Sequence, residues 1–411
     1  MGIQAITEAG NIYTYLTHTG EIVIGDAGES VGPILFDKRE TFQKFPFVDK
    51  FVIGVTTKCN MRCVYCCYSG NYRNSRSHGN KSMDKQMIGL VLDFIETMFS
   101  GDSVTLCFYG GECLLEFPIL QTFVSKARER WNEKVKFELS TNGLLLSEER
   151  INWIVDNDIK INLSLDGPQT FHDRQRITTD GKPSFSGIYS ALVYLSNHHR
   201  GFFLNRLTIL MTLTDMEDII RIAEQWDEDR LLKQLNSLHI SCVAPNYAKG
   251  VMKRNVQNEE KLFYRILKAY QSHRKSVVLK TFFNLWLIEW EKRNIYELSS
   301  AAIPTCVPAN HKLYIDTNGE VSICEKLPDT IRIGNIRDGI DWKAANKVAE
   351  SLYSRISMRC SSCPILRLCD FCPTILDLSD DEMDIYCHNR KVEQQLKMLM
   401  LCEMAERNMI E

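Results

Sequence analysis

The sequence has no long run of apolar residues. Its most apolar stretch, residues 281–290, is too short to cross a bilayer and runs into the charged motif Glu289-Trp290-Glu291. The N-terminus also shows no charged segment followed by an apolar one, the pattern of a secretory signal peptide. These absences predict a cytoplasmic protein that does not associate with membranes.

The sequence also has no large excess of positive or negative residues. The chain has 49 Lys and Arg against 52 Asp and Glu, a net charge of -3, and no long basic run. A protein without such a run has no electrostatic reason to bind nucleic acid or an anionic membrane. With 411 residues, of which 44% are hydrophobic, the chain can bury a large core and is expected to form two or three domains.

Cysteine, in contrast, is abundant and clustered. Fifteen cysteines in a cytoplasmic protein would stay reduced, so their clustering predicts metal binding rather than disulfides. Cys59, Cys63 and Cys66 follow an apolar run at residues 51–55 with the spacing Cys-x3-Cys-x2-Cys. Three such thiolates can hold three irons of a 4Fe-4S cube and leave the fourth iron without a protein ligand. The alternative is a zinc loop completed by Cys67, although adjacent cysteines point poorly toward one tetrahedral metal.

This loop, with the aromatic Tyr65 before the third cysteine, resembles the signature of the radical S-adenosylmethionine (radical SAM) enzymes. The resemblance implies that the open iron chelates the amino and carboxylate groups of S-adenosylmethionine. It also implies that an electron from the cluster cleaves this molecule to a 5'-deoxyadenosyl radical, which abstracts hydrogen from the substrate. An electron donor such as flavodoxin or ferredoxin is then an expected partner.

Strand and helix patterns alternate over the first 245 residues. A helical pattern opened by Ser82, another opened by Ser147 and a third over residues 215–226 separate apolar, β-rich segments. The six strand-like segments are residues 51–55, 104–109, 135–140, 159–165, 206–213 and 238–243. This order predicts an α/β fold with a partial (β/α)6 TIM-type barrel.

In such a barrel the loops after the strands gather at one face and build the active site. Glycines there let backbone carbonyls approach an ammonium group, and serine or asparagine can bond ribose hydroxyls. Gly110-Gly111-Glu112 resembles the family's Gly-Gly-Glu motif, with Cys113 where proline is usual. Ser164-Leu165-Asp166-Gly167-Pro168, followed by His172 and Arg176, resembles the branch that modifies peptides and proteins. The resemblance assigns cofactor contacts to Tyr65, Gly110, Gly111, Glu112, Asn142, Ser164, Asp166 and Arg176, and leaves His172 open between a site residue and a structural or surface histidine.

A second set of cysteines lies near the C-terminus. The spacing is Cys306-x12-Gly319-x4-Cys324, then Cys360-x2-Cys363-x5-Cys369-x2-Cys372, and finally Cys387. Zinc is the structural alternative, because paired Cys-x2-Cys steps serve it well. The arrangement resembles the SPASM domain, the auxiliary-cluster module of many radical SAM peptide-modifying enzymes, with the last step one residue shorter than usual.

The SPASM resemblance implies two auxiliary 4Fe-4S clusters and therefore three clusters in the chain. Cys360, Cys363, Cys369 and Cys387 would close one of them. Cys306, Cys324 and Cys372 would hold the other, whose fourth iron is either open or capped by another side chain or water. Glu325 stands where sulfatase-maturing relatives place a catalytic aspartate. It would act as a base if burial raised its pKa, and the alternative is a solvated surface glutamate.

These patterns divide the chain into four parts. Residues 1–49 form a short segment with a β-hairpin that turns at Thr19-Gly20, 50–245 the partial barrel, 246–303 a helical bridging region, and 304–411 a loop-rich SPASM domain with a C-terminal helix. The resemblance implies an enzyme that installs a crosslink or a related oxidative modification in a ribosomally made precursor peptide. Leader recognition would use a reduced element in the N-terminal segment, a separate protein, or neither. A sulfatase-maturing enzyme and a non-catalytic iron-sulfur or zinc scaffold are the alternatives.

Overall fold

A computed structural model gives the fold of the chain. It describes residues 2–28, 48–70, 76–99, 101–243, 254, 256–293, 295, 306, 308, 311–327, 331–369 and 371–410, and the backbone alone at 35–36 and 300–301. The chain divides into two compact units. The sheet unit comprises residues 42–244 and 307–348, and the terminal unit comprises residues 1–41, 245–306 and 349–411.

The strands vary from two to nine residues in length. They are β1 (Ile3–Ile6), β2 (Ile12–Tyr15), β3 (Ile22–Ile24), β4 (Leu35–Phe36), β5 (Val48–Thr56), β6 (Val104–Gly110), β7 (Val135–Thr141), β8 (Ile159–Ser164), β9 (Leu207–Leu213), β10 (Leu238–Cys242), β11 (Ser300–Ala301), β12 (His311–Ile315), β13 (Glu320–Ser322), β14 (Gly334–Asn335) and β15 (Gly339–Ile340).

The α-helices alternate with the strands of the sheet unit and dominate the terminal unit. They are α1 (Met87–Met98), α2 (Phe117–Trp131), α3 (Glu148–Asp156), α4 (Gln169–Gln175), α5 (Phe185–His198), α6 (Arg200–Asn205), α7 (Ile219–Glu228), α8 (Val256–Ser272), α9 (Val277–Glu291), α10 (Trp342–Cys360) and α11 (Asp380–Glu406). Among the described residues, none of these helices is long and apolar enough to span a membrane.

The sheet unit is built on one mixed sheet in the order β10-β9-β8-β7-β6-β5-β12-β13-β14-β15. Strands β5 to β10 pair in parallel, each with its neighbour in the chain, and β12 adds a further parallel strand beside β5. The six predicted strands are therefore confirmed. The described strands leave β10 and β15 at the two ends of the sheet, so they form an open sheet and not a closed barrel.

The two faces of the parallel strands differ in polarity. In β7, β8 and β9, buried apolar residues alternate with half-exposed ones along each strand. The apolar side is covered by helices, as shown by the ring of Phe108, which lies 5.8 Å from Phe123 of α2. The other side carries polar groups, including an ion pair of 2.8 Å between Lys50 and Glu138. One face is therefore core, and the other is available for a polar ligand.

Two predicted helix starts need correction, while a third is confirmed. The helix expected to open at Ser82 begins at Met87, because the Ser82 hydroxyl bonds Thr56 and Glu116 instead of capping a helix. The helix expected over residues 215–226 begins with the 3-10 turn Met216–Asp218 before α7. Ser147 does cap α3, since its side chain accepts a bond from the Arg150 amide.

The terminal unit contains the antiparallel sheet β1-β2-β3 and helices that pack around it. The predicted hairpin is confirmed as β2 and β3, and β1 adds a strand that pairs Ile3 with Tyr15. The Tyr15 ring lies 5.1 Å from the buried Trp290 of α9. Helix α11 begins with a capping box between Ser379 and Glu382. The predicted division into four parts stays a prediction; the residues around the predicted boundary at 245/246 lie outside the described residues.

Candidate functional site

Cys59, Cys63 and Cys66 lie in the loop after β5, at the edge where the parallel strands end. Burial raises the pKa of Cys59 to about 12 and that of Cys63 to about 11, and the neighbouring thiols add to both shifts. A hydrogen bond with Cys67 and then burial raise the pKa of Cys66 to about 12. Thiolates in this loop therefore need a positive centre, such as iron, to be stable.

Each of the three sulfurs has a hydrogen-bond donor beside it. The backbone N–H of Met61 lies 3.4 Å from Cys59 Sγ, and the N–H of Tyr68 lies 3.4 Å from Cys66 Sγ. The Arg176 guanidinium reaches to 4.0 Å from Cys63 Sγ. Donors of this kind stabilise negative charge on sulfur, so the surroundings fit thiolate ligands.

Gly110 and Gly111 allow the loop after β6 to lie directly against the cysteine loop. A Cβ on Gly111 would fall 2.1 Å from the Lys58 carbonyl oxygen and 3.1 Å from Cys59 Cβ. Gly110 has a φ of +147°, and a Cβ there would lie 2.3 Å from the Thr56 carbonyl oxygen. Any larger residue at these two positions would push the cysteine loop away. The close packing of the two loops therefore requires glycine at both positions.

Glu112 is buried and holds the next loop in place. Its carboxylate accepts bonds from the Leu114 amide at 3.0 Å, the Thr141 hydroxyl at 2.8 Å and the Asn142 amide at 2.7 Å. Burial raises the pKa of Glu112. The Asn142 side chain in turn donates to Asn60 at 2.8 Å. The predicted contacts of Glu112 and Asn142 with a cofactor stay predictions.

Tyr65, Asp166 and Arg176 form a buried ion cluster beside Cys63. Asp166 accepts bonds from the Tyr65 hydroxyl, from Arg176 Nε at 2.8 Å and from the Thr212 amide at 2.9 Å. Burial disfavours the charged guanidinium, but Asp166 and Tyr65 outweigh this, and the pKa of Arg176 is raised. Both carboxylate oxygens of Asp166 are thus engaged by protein groups, while Ser164 at the end of β8 is half-exposed.

The structure places His172 in the interior, so its surface alternative is wrong. Its side chain is fully buried, and burial lowers its pKa to about 4. A neutral imidazole at this depth is a hydrogen-bonding group and not a charged one.

Glu325 belongs to the sheet unit and is not a solvated surface residue, since its side chain is only 13% exposed. Its carboxylate lies 2.9 Å from Lys312 Nζ, which is also 3.7 Å from Cys324 Sγ. Burial alone would raise the pKa of Glu325, but the Lys312 ammonium reverses the effect and the pKa is lowered. The condition for base catalysis, a pKa raised by burial, is therefore not met, and the catalytic role of Glu325 stays a prediction.

Four of the C-terminal cysteines come together in the terminal unit. Cys360 ends α10 and Cys387 lies in α11, while Cys363 and Cys369 lie between them. Burial raises the pKa of Cys360, and the thiols of the other three add to the shift. The set of the remaining three predicted ligands stays a prediction, since Cys306 and Cys372 belong to the terminal unit and Cys324 to the sheet unit.

The donor sets fit iron-sulfur clusters better than single metal ions. In the part of the chain that the structure describes, no three Cys, His, Asp or Glu side chains converge around one point as the ligands of one ion. A zinc site needs four ligands around one ion, whereas each iron of a cube takes one thiolate and the ligands stand farther apart. Cys59, Cys63 and Cys66 suit a cube with one free iron, and the closed cluster at the set containing Cys360 stays a prediction.

Several site residues have no signal in the sequence. Thr212 binds Asp166 only because β9 lies beside β8, and Lys312 reaches Glu325 only because β12 carries it there. Tyr68, whose hydroxyl donates to the Glu325 carbonyl at 3.2 Å, had one usable signal, its place directly after the cysteine loop.

Comparisons with known proteins agree with this geometry. Residues 53–225 match the family model of the Radical SAM superfamily. A cysteine-type anaerobic sulfatase-maturating enzyme of Clostridium perfringens (strain 13 / Type A) is 25% identical over 375 residues, covering 84% of this chain and 95% of that relative. The structure of native anSMEcpe with bound AdoMet and Cp18Cys peptide has a TM-score of 0.64 at 18% identity, covering 87% of this chain and 98% of the other. Streptococcus suis SuiB bound to precursor peptide SuiA has a TM-score of 0.51 at 15% identity, covering 82% and 74%.

Proposed function

Since this chain carries a radical SAM domain, we propose that it is an enzyme that modifies a ribosomally made precursor peptide by installing a crosslink or a related oxidative modification. The observation that carries the proposal is the loop of Cys59, Cys63 and Cys66, held at the ends of the parallel strands between Gly111 and Arg176. When bound, a 4Fe-4S cluster in this loop supplies the electron that cleaves S-adenosylmethionine to a hydrogen-abstracting radical.

The residues around this loop have separate roles in the proposed function. Gly110 and Gly111 bring backbone carbonyls close to the cysteines, where they suit the ammonium of S-adenosylmethionine. Asn142 and Ser164 offer hydrogen bonds for ribose hydroxyls, and Arg176 supplies the positive charge beside Cys63. Glu112 acts behind them by fixing the Asn142 backbone.

A peptide substrate agrees with the named relatives. The C. perfringens relative matures sulfatases by its name, and the SuiB structure holds a precursor peptide. The polar face of the sheet, with Lys50 and Glu138, suits a peptide better than a lipid or a hydrocarbon. The proposal includes a flavodoxin or ferredoxin as electron donor, a separate leader-binding protein and a cytoplasmic location.

Two auxiliary clusters are part of the proposal. Cys360, Cys363, Cys369 and Cys387 would close one cluster, and Cys306, Cys324 and Cys372 would hold another with a free iron. The test is the content of iron, sulfide and zinc in protein reconstituted without oxygen. Three four-iron cubes require about twelve irons per chain with matching sulfide. About four irons together with zinc would contradict the auxiliary clusters.

The function itself is tested with S-adenosylmethionine, dithionite and the peptides encoded by short genes beside this one. We expect 5'-deoxyadenosine and a peptide that is lighter by the mass of two hydrogen atoms for each crosslink. Tandem mass spectrometry locates the new bond. Formation of 5'-deoxyadenosine with all these peptides unchanged would contradict the peptide-crosslinking function.

A sulfatase-maturing activity is the second candidate, because a relative is named as a sulfatase-maturating enzyme and Glu325 directly follows Cys324. The carboxylate is ionised, fixed by Lys312 and directly follows Cys324. This candidate predicts that a sulfatase-derived peptide containing an active-site cysteine or serine is oxidised to formylglycine. If such a peptide is recovered unchanged under conditions that form 5'-deoxyadenosine, the candidate is excluded.

A further inference from the structure

Behind the cysteine loop, four buried residues form a closed ring of hydrogen bonds. Asp166, His172, Ser184 and Arg176 are each no more than 7% exposed. The Asp166 backbone N–H donates to His172 Nδ1 at 3.2 Å, and His172 Nε2 lies 2.9 Å from the Ser184 hydroxyl. The Ser184 hydroxyl donates to the Arg176 carbonyl at 2.6 Å, and Arg176 Nε donates back to the Asp166 carboxylate at 2.8 Å.

The ring has one direction, which fixes the protonation of the imidazole. Because the Asp166 amide can only donate, His172 Nδ1 is the acceptor and the proton sits on Nε2. Nε2–H then donates to Ser184, whose single hydroxyl proton is committed to the Arg176 carbonyl. Burial lowers the pKa of His172 to about 4, so this neutral form persists near neutral pH.

The consequence falls on Arg176. Its backbone is held through Ser184 and its side chain through Asp166, and in this position Nη1 lies 4.0 Å from Cys63 Sγ. The same guanidinium lies 5.3 Å from the Tyr65 ring, whose hydroxyl also bonds Asp166. The ring of hydrogen bonds therefore affects Cys63 Sγ indirectly, through the position of the Arg176 guanidinium.

We propose that His172 and Ser184 are positioning residues that hold the Arg176 charge against Cys63 and so set the reduction potential of the cluster in this loop. A fixed cation beside a cluster favours its reduced, more negative state. The inference rests on the proposed function, because it needs a cluster at Cys59, Cys63 and Cys66. Neither His172 nor Ser184 touches the cysteines in the structure.

The test compares Ser184→Ala with wild type in reconstituted, full-length protein. Reduced cluster is measured by EPR during a redox titration, and S-adenosylmethionine binding by the change in the same spectrum. Loss of one buried hydrogen bond is worth about tenfold in an equilibrium. We expect the ratio of reduced to oxidised cluster at a fixed solution potential to fall about tenfold in Ser184→Ala, which is ~59 mV for a one-electron couple.

Two further variants separate positioning from stability. Ser184→Thr keeps the hydroxyl and should return the potential toward that of wild type. Ser276→Ala is the matched control, because Ser276 is also a buried serine before a helix, with its side chain bonded to the Leu279 amide. It should lower the melting temperature of the cluster-free protein without moving the potential.

The proposal is overturned if Ser184→Ala keeps the wild-type potential, or if Ser276→Ala shifts the potential as much. Should Ser184→Ala not fold, His172→Asn gives the same decision, since it removes the Nε2 donor and must also lower the potential. Failure of wild type to form 5'-deoxyadenosine would instead count against the proposed function, and the two failures are thereby distinguished.

Discussion

Two of the three predicted cysteine sets of this chain differ in number and in surroundings. Cys59, Cys63 and Cys66 form a set of three at the ends of parallel strands, while the set containing Cys360 and Cys387 has four members in the helical terminal unit. Three thiolates leave one iron of a cube free, and four close it. In the proposed function the set of three is therefore the site of chemistry, and the set of four serves electron transfer or structure.

The residues around these two cysteine sets also differ. The set of three has a guanidinium, Arg176, fixed beside Cys63 by a buried carboxylate, and paired glycines that let the next loop pack directly against Cys59. At the set of four, burial and the neighbouring thiols dominate the raised pKa of Cys360. Among the described residues, the surroundings of the set of three thus include a fixed cation and a closely packed glycine loop.

The largest effect is expected from breaking the set of four. Cys360→Ala or Cys363→Ala should remove about four irons per chain. Cleavage of S-adenosylmethionine should persist within about twofold of wild type, because the set of three is intact, while peptide modification should cease. Iron analysis and mass spectrometry of the peptide check both parts. Unchanged peptide product would make the second set dispensable.

Glu325 belongs to neither set and decides between the two candidate functions. If it is a base for sulfatase-type maturation, Glu325→Gln should lower the turnover of a sulfatase peptide by about 10²–10⁴-fold, the usual contribution of general base catalysis. 5'-Deoxyadenosine should still form. Glu320→Gln is the control, since it also removes a carboxylate from an ion pair, with Arg332, on the same sheet. An equal loss in both variants would argue against a special role for Glu325.

Gly111→Ala tests the role of the paired glycines that lie against the loop of Cys59, Cys63 and Cys66. The added methyl would meet the Lys58 carbonyl, a backbone atom that cannot yield without moving Cys59. We expect binding of S-adenosylmethionine to weaken about tenfold, equivalent to ~1.4 kcal/mol. Gly89→Ala is the control, since Gly89 lies in α1 with open space around it and alanine should stabilise the helix by about 0.5–1 kcal/mol. Equal binding in both variants would contradict the steric account.

The last expected effect, on stability and not on activity, is a pH dependence from His172, which lies behind the set of three. Its folded pKa of about 4 is below the usual value of about 6.5 in an unfolded chain. Above pH 6.5 both states are neutral and the full stability is present. As the pH falls from 6.5 to 4, the unfolded state binds a proton that the folded state does not bind. The free energy of unfolding therefore falls by up to about 3 kcal/mol. Melting curves at pH 7 and pH 4.5 should show a weaker pH dependence in His172→Asn than in wild type or in a variant of the exposed His198. The same dependence in all three proteins would contradict the assignment.

Local patterns in the sequence predicted much of the sheet unit. Buried and half-exposed residues alternate in β7, β8 and β9, and glycines mark the loop after β6, so strands and loop order were readable. The cysteine spacing within residues 59–66 and 360–369 was readable for the same reason, because neighbours in sequence are neighbours in space. Strand β1 was missed because Ile3-Gln4-Ala5-Ile6 is too short to show a period.

Long-range contacts account for what the sequence did not show. Lys312 and Glu325 meet because β12 and β13 pair antiparallel, and the Lys312 ammonium lowers the pKa that burial alone would raise. Ser184 and Thr212 join the buried cluster through neighbouring elements, and neither position stands out in the sequence. Polar networks of this kind depend on packing, which a local pattern does not encode.

The most direct test of the central claim is the formation of 5'-deoxyadenosine by reconstituted, dithionite-reduced protein with S-adenosylmethionine, compared between wild type and the triple variant Cys59→Ala, Cys63→Ala and Cys66→Ala. The account predicts 5'-deoxyadenosine from wild type, and none from the triple variant, which should hold about four irons fewer per chain. Equal formation by both proteins would contradict the assignment of the radical SAM cluster to this loop.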